Sequence, residues 1–108
     1  MNKEETEMVY KYFELSNTLN ILEKEIKNII TRSSDIDMDY GCWLVGVLEL
    51  EKKYDEKRGE YYLCDGSEIA HQQNNYFLWQ ITRYEDDYFG CIYYPLEDKK
   101  YLKIEYSC

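Results

Sequence analysis

The chain has 108 residues, 13 Lys and Arg against 22 Asp and Glu, and a net charge of −9, which fits one acidic domain spanning residues 1–108 with a modest core of its own. That charge repels nucleic-acid backbones and anionic membranes and attracts basic partners, so neither nucleic acid nor membrane is an expected ligand. No apolar run is long enough to span a bilayer and no charged-then-apolar leader is apparent, so a cytoplasmic protein is expected, with Cys42, Cys64, Cys91 and Cys108 as free thiols.

Residues 2–32 read as one long amphipathic helix. Met8, Tyr12, Leu15, Leu19, Leu22, Ile26 and Ile29 follow one another in steps of four and three, the spacing of a single helix face. Asn2 and Glu5 form a variant of the capping box. Glu4, Glu5 and Glu7 complement the positive end of the helix dipole, and Lys24, Lys27 and Arg32 the negative end. Glu7–Lys11 and Glu23–Lys27 are pairs four apart. Residues 16–20 gather four poor helix formers, the point at which a bend or break would fall. Thirty helical residues span roughly 45 Å, whereas a strand of six to ten residues covers about 20–33 Å. A continuous helix therefore overhangs its sheet, unless it breaks near Asn17. The overhang would be buried by a second copy, giving a homodimer through this helix, or by another protein.

The remainder reads as strands. After the breakers Ser33 and Ser34, residues 40–51 form a strand that is apolar on both faces through Cys42, Trp43, Leu44 and Val45 and alternating thereafter. Gly41 and Gly46 mark a close approach or a bulge. Residues 55–59 are a polar turn ending in Gly59, so residues 60–64 return as a hairpin strand. Residues 65–67 break it, and the polar stretch to Asn75 is expected to hold a short helical turn around Ile69 and Ala70, capped by Ser67. Residues 76–84 alternate Phe77, Trp79 and Ile81 with Tyr76, Leu78, Gln80 and Thr82; residues 88–94 return, and Pro95 ends them. Residues 101–106 alternate Leu102, Ile104 and Tyr106 inward with Lys103 and Glu105 outward. The expected fold is α+β, a long N-terminal helix on a four- to five-stranded antiparallel meander. Leu19, Leu22 and Ile26 are expected to pack on Leu44, Trp79, Ile92, Leu102 and Ile104.

Asp35, Asp37 and Asp39 alternate in an extended pattern that invites a calcium reading. A helix–loop–helix calcium site needs Gly at its sixth position and an acid at its twelfth; these are Tyr40 and Gly46, and a strand follows. Scattered cysteines and a single histidine, His71, do not give the paired ligand spacing of zinc, and no glycine-rich phosphate loop is present. No metal or cofactor is expected. A small enzyme built on a carboxylate or on a cysteine, with His71 beside Cys64 or Cys91, ranks third among the readings, behind two kinds of binding protein.

Charge and tyrosine point to the first of these. Residues 1–32 carry five basic against six acidic groups, and residues 33–108 eight against sixteen, with eleven of the thirteen tyrosines. Glu85, Asp86 and Asp87 lie between Tyr84 and Tyr88, with Tyr93 close by. Carboxylates held at intervals by a sheet imitate a row of phosphates, and exposed tyrosines make rigid amphipathic contacts. Glu85, Asp86, Asp87, Tyr88 and Tyr93, with Asp35, Asp37 and Asp39, are thus the expected partner-binding residues. The composition, small and acidic without a catalytic motif, resembles phage-encoded inhibitors such as anti-CRISPR and anti-restriction proteins. The resemblance implies a non-catalytic DNA mimic that inhibits or regulates a basic partner protein, such as a nucleic-acid enzyme. The alternative is a small-molecule or nucleotide-binding module with an aromatic pocket between helix and sheet.

Overall fold

A computed structural model of the chain describes residues 1–14, 20–34, 36, 38, 41–84 and 87–107. Two helices, α1 (Lys3–Glu14) and α2 (Asn20–Ser34), precede seven strands: β1 (Cys42–Glu49), β2 (Lys53–Asp55), β3 (Glu60–Asp65), β4 (Glu68–Gln72), β5 (Phe77–Tyr84), β6 (Asp87–Glu97) and β7 (Lys100–Ser107). The class is α+β, but the single long helix is replaced by an antiparallel pair. Asn2, Glu4 and Met8 of the chain start line a groove of about 600 Å³ with Asn28, Ile29 and Arg32 of α2, so α2 folds back along α1. The poor helix formers expected to weaken the helix fall largely in residues 15–19, outside the described residues. Helices of 12 and 15 residues span only about 18 and 22 Å, so the overhang that called for a second copy does not arise.

The capping box forms as expected: Glu5 N donates to Asn2 Oδ1 at 2.8 Å and Asn2 N to Glu5 Oε1 at 3.1 Å. Glu23 and Lys27 pair at 3.1 Å. Both helices dock by polar contacts to the sheet. The Met1 ammonium donates to Pro95 O at 3.1 Å, Thr6 Oγ1 donates to Leu96 O at 3.2 Å, and Tyr10 OH donates to Glu97. These acceptors lie where β6 bulges between Pro95 and Glu97. Pro95 therefore does not end its strand; the bulge absorbs a residue with no N–H to give the ladder. On α2, Lys27 Nζ donates to Cys42 O at 2.9 Å, and Ser33 Oγ meets Tyr94 OH at 2.5 Å.

The strands form one antiparallel sheet in the order β1-β7-β6-β5-β4-β3-β2. Two strands exceed the expected meander: β2, and β4 in place of the helical turn around Ile69. The two-residue turn Gly66-Ser67, with Gly66 at φ 63°, pairs Asp65 with Glu68 and commits the polar segment to a hairpin. Six successive antiparallel neighbours make the edge strands β1 and β2 parallel, and only Leu50, Glu51 and Lys52 join them. That link reaches about 14 Å, while the edges of a flat seven-stranded sheet would lie roughly 29 Å apart. The sheet must curl toward an open barrel.

Curling gives the sheet two covered faces. The convex face packs on the helices through Leu44, Ile92, Tyr94, Leu96, Leu102 and Ile104, with Val9, Ile26, Ile30 and Met38 against them. The expected partners Ile26, Leu44, Ile92, Leu102 and Ile104 are together here. Leu22 is only half-buried, and Leu19 lies outside the described residues. Trp79 corrects the expectation: it belongs to the concave face, beside Leu63, Ala70, Phe77, Cys91, Tyr93 and Tyr101. The alternation in residues 76–84 is as expected, but Tyr76 and Leu78 face the helices.

Gly41 shows where backbone geometry is strict. Its φ is +69°, and a Cβ there would sit 2.5 Å from Ser107 O; Gly59 has φ +66° but open space. Replacing Gly41 by alanine is expected to destabilise by about 2–4 kcal/mol, and Gly59 by about 1 kcal/mol, in urea melts. Equal costs would remove the Ser107 contact as the cause.

Candidate binding face

Barrel curvature brings together side chains that the sequence keeps apart. Asp65 on β3 and Lys103 on β7 are four strands from each other in sheet order, about 19 Å on a flat sheet, yet their carboxylate and ammonium meet at 2.8 Å. Tyr93 OH donates to the same carboxylate oxygen at 2.8 Å. β4 pairs with β5 only at His71–Leu78 and Gln72–Phe77. Beyond that the tip of the β3–β4 hairpin leaves β5 and leans over the concave face, so that β4 touches β6 directly.

This contact sets the electrostatics of the interior. The Lys103 hydrogen bond lowers the Asp65 pKa, burial opposes it, and Tyr93 lowers it further. Burial pulls Lys103 down, but the hydrogen bond and charge of Asp65, with Cys91 and Glu68, outweigh it and leave Lys103 raised. Burial first, then the hydrogen bond to Asp65, drives Tyr93 far above the ordinary tyrosine range. Burial pushes the Cys91 thiol up to about 11. Glu68 Oε2 is buried without a hydrogen-bond partner among the described residues.

Toward the open end, register places Trp43, Glu105, Cys91 and Trp79 side by side across β1, β7, β6 and β5. Trp43 Nε1 donates to Glu105 Oε2 at 3.0 Å, and Trp79 meets Phe89 edge-on at 6.2 Å. Ile81 pairs with Phe89 in the next row. Trp43 and Ile81 are each 41% exposed. The result is a trough with aromatic walls and the Glu105 carboxylate, a surface on which a cation finds both π faces and a counter-charge.

The residues expected to bind a partner fare differently. Tyr88 is exposed, and the backbone of Asp87 pairs with Tyr84 at the β5–β6 hairpin end, just beyond the Ile81–Phe89 row. Tyr93 is corrected: it is 0% exposed and has no surface to offer. Glu85, Asp86, Asp35, Asp37 and Asp39 lie outside the described residues. Lys103, Asp65, Glu68, Trp43 and Trp79 were not singled out for this face by the sequence, where Lys103 and Glu105 read as an outward pair. The available signal was β6 itself, whose Phe89, Cys91, Ile92, Tyr93 and Tyr94 leave neither face polar.

His71 sits on the outer face with Nδ1 3.1 Å from Glu60 and Nε2 3.3 Å from Arg58, while Cys91 is on the concave face. Cys64 and Cys91 are free thiols; Cys108 lies outside the described residues. Among the described residues no group of three His, Cys, Asp or Glu side chains converges to hold a metal ion, and no helix is long and apolar enough to cross a membrane. Comparison with protein families, curated proteins and solved structures finds no match to this chain.

Proposed function

We propose that this chain is a non-catalytic binding protein that inhibits or regulates a basic partner, engaging it through the open end of the concave face and the acidic β5–β6 hairpin. The observation that carries this reading is the union of Trp43, Trp79, Phe89 and Glu105 on one face with a hairpin whose sequence carries Glu85 and Asp86 between its strands and Asp87 at the start of β6. Aromatic faces and carboxylates together select lysine and arginine side chains. The raised Cys91 pKa supports binding over covalent catalysis, because a nucleophilic thiol needs a lowered one. A basic groove that ordinarily holds nucleic acid is the partner surface most suited to such a charge row, in keeping with a DNA mimic.

Reversing Glu85, Asp86 and Asp87 together to lysine is expected to slow association with a partner captured from the native host and to flatten its salt dependence. Each exposed charge alone contributes only about 0.2–1 kcal/mol, but steering follows the summed field. Binding as tight and as salt-sensitive as the parent, with an unchanged melting curve, would remove the hairpin from the interface. A second reading, a small-molecule module, is favoured by a cavity of about 400 Å³ lined by Phe77, Tyr94, Tyr101, Gln72, Asn75 and Lys52. A ligand-induced rise in melting temperature would identify it.

A further inference from the structure

β5 has eight residues, but β4 covers only its first two. The direction of its backbone groups can be phased. Tyr76 O accepts from Gln73 N at 2.8 Å across the β4–β5 turn, so Tyr76 points toward β4. Backbone groups alternate sides along a strand, so Leu78, Gln80 and Thr82 also point that way, while Phe77, Trp79 and Ile81 point to β6. The same alternation carried across β6 and β7 orients Ser107 toward β1, where its N–H donates to Gly41 O. Leu78 pairs with His71; Gln80 and Thr82 have no β4 partner. Among the described residues this interior strand therefore presents an unpaired edge where β4 swings away.

We infer that the edge of β5 along Gln80 and Thr82 accepts an extended basic segment of the partner as an added strand, in the place that β4 vacates; this rests on the basic-partner reading above. Unpaired strand edges are templates for strand addition, in which main-chain hydrogen bonds supply affinity and side-chain pockets supply selectivity. Charge decides the occupant. In the sequence Thr82 is followed within five positions by Glu85, Asp86 and Asp87, and Glu68 on the departing strand keeps a buried carboxylate oxygen without a partner among the described residues. Ile81, exposed on the concave side, and Ile69, exposed on the outer side, give apolar contacts to either side of an incoming strand. A segment alternating lysine with valine sets its valines against one of these isoleucines and its lysine stems against the other, with the ammonium groups left to reach the carboxylates, whereas a second copy of a chain with net charge −9 is repelled.

The test uses the whole chain and two synthetic peptides of alternating lysine and valine, one with a free backbone and one N-methylated at alternate residues. N-methylation keeps the charge and removes the hydrogen bonds of one strand edge. The free peptide is expected to bind and to slow amide exchange at Gln80 and Thr82, with the methylated peptide about tenfold or more weaker. Gln80→Pro removes one donor from the vacated edge while leaving the alternate residues that pair with β6, and should cause a similar loss with little change in melting. Equal binding of the two peptides would overturn strand addition and leave the basic-partner reading standing. Failure of both peptides to bind at low salt would overturn both.

Discussion

Truncating Leu102 to alanine is expected to cost the fold about 2–5 kcal/mol. Leu102 is 0% exposed on β7, paired with Tyr94 on β6 and Val47 on β1, so a cavity there opens beneath both helices and between three strands. Domains of this size carry only about 5–15 kcal/mol of net stability, and the variant should melt well below the parent. Leu22→Ala is the comparison. Leu22 belongs to the sequence stripe but is half-buried, and its truncation should cost about 1 kcal/mol. Urea denaturation of both variants measures the difference. Similar costs would mean that the helix stripe, rather than the center of β7, bears the weight of this core.

Stability should fall steeply in alkali. Cys91, raised to about 11, and Tyr93, raised further, keep their protons when folded, while the unfolded chain loses them near its ordinary values of about 8.5 and 10. The unfolded state ionises first, so these groups contribute stability that is complete below those ordinary values and lost as pH rises toward the folded ones. For Cys91 alone the loss is on the order of 2–3 kcal/mol by pH 11. Raised Lys103 adds in the same direction. Lowered Asp65 acts at the opposite end, where its contribution disappears as pH falls below the usual carboxylate range through its folded value. Denaturant melts from pH 8 to 11 should show the alkaline loss in the parent and a shallower one in Tyr93→Phe. A flat profile would mean that the concave face is wet.

The sequence by itself determined the local elements whose causes are local. The capping box at Asn2 and Glu5, the Glu23–Lys27 pair, the turn ending in Gly59 and the alternation of β5 and β7 all depend on residues within a few positions of one another. The ranking of Leu44, Ile92, Leu102 and Ile104 as interior followed from hydrophobic periodicity. Alternation separates two faces but does not say which meets the helices, and that is why Trp79 went to the opposite face from the one expected. The polar stretch around Ile69 has too few apolar residues to declare a strand, and becomes one because the Gly66-Ser67 turn brings it beside β3.

Only the tertiary structure decided the curl. A three-residue link between the two edge strands forces the sheet round, and curvature turns Lys103 and Tyr93 from apparent surface groups into partners of Asp65, Tyr93 buried and Lys103 part-buried. No spacing along the chain encodes a contact between strands four apart in the sheet. The same curvature draws β4 away from β5 and leaves the backbone of Gln80 and Thr82, among the described residues, without a strand partner on that side. The charge that makes a basic partner attractive is read from composition, whereas the face that could receive it exists because a closing sheet cannot pair every strand along its whole length.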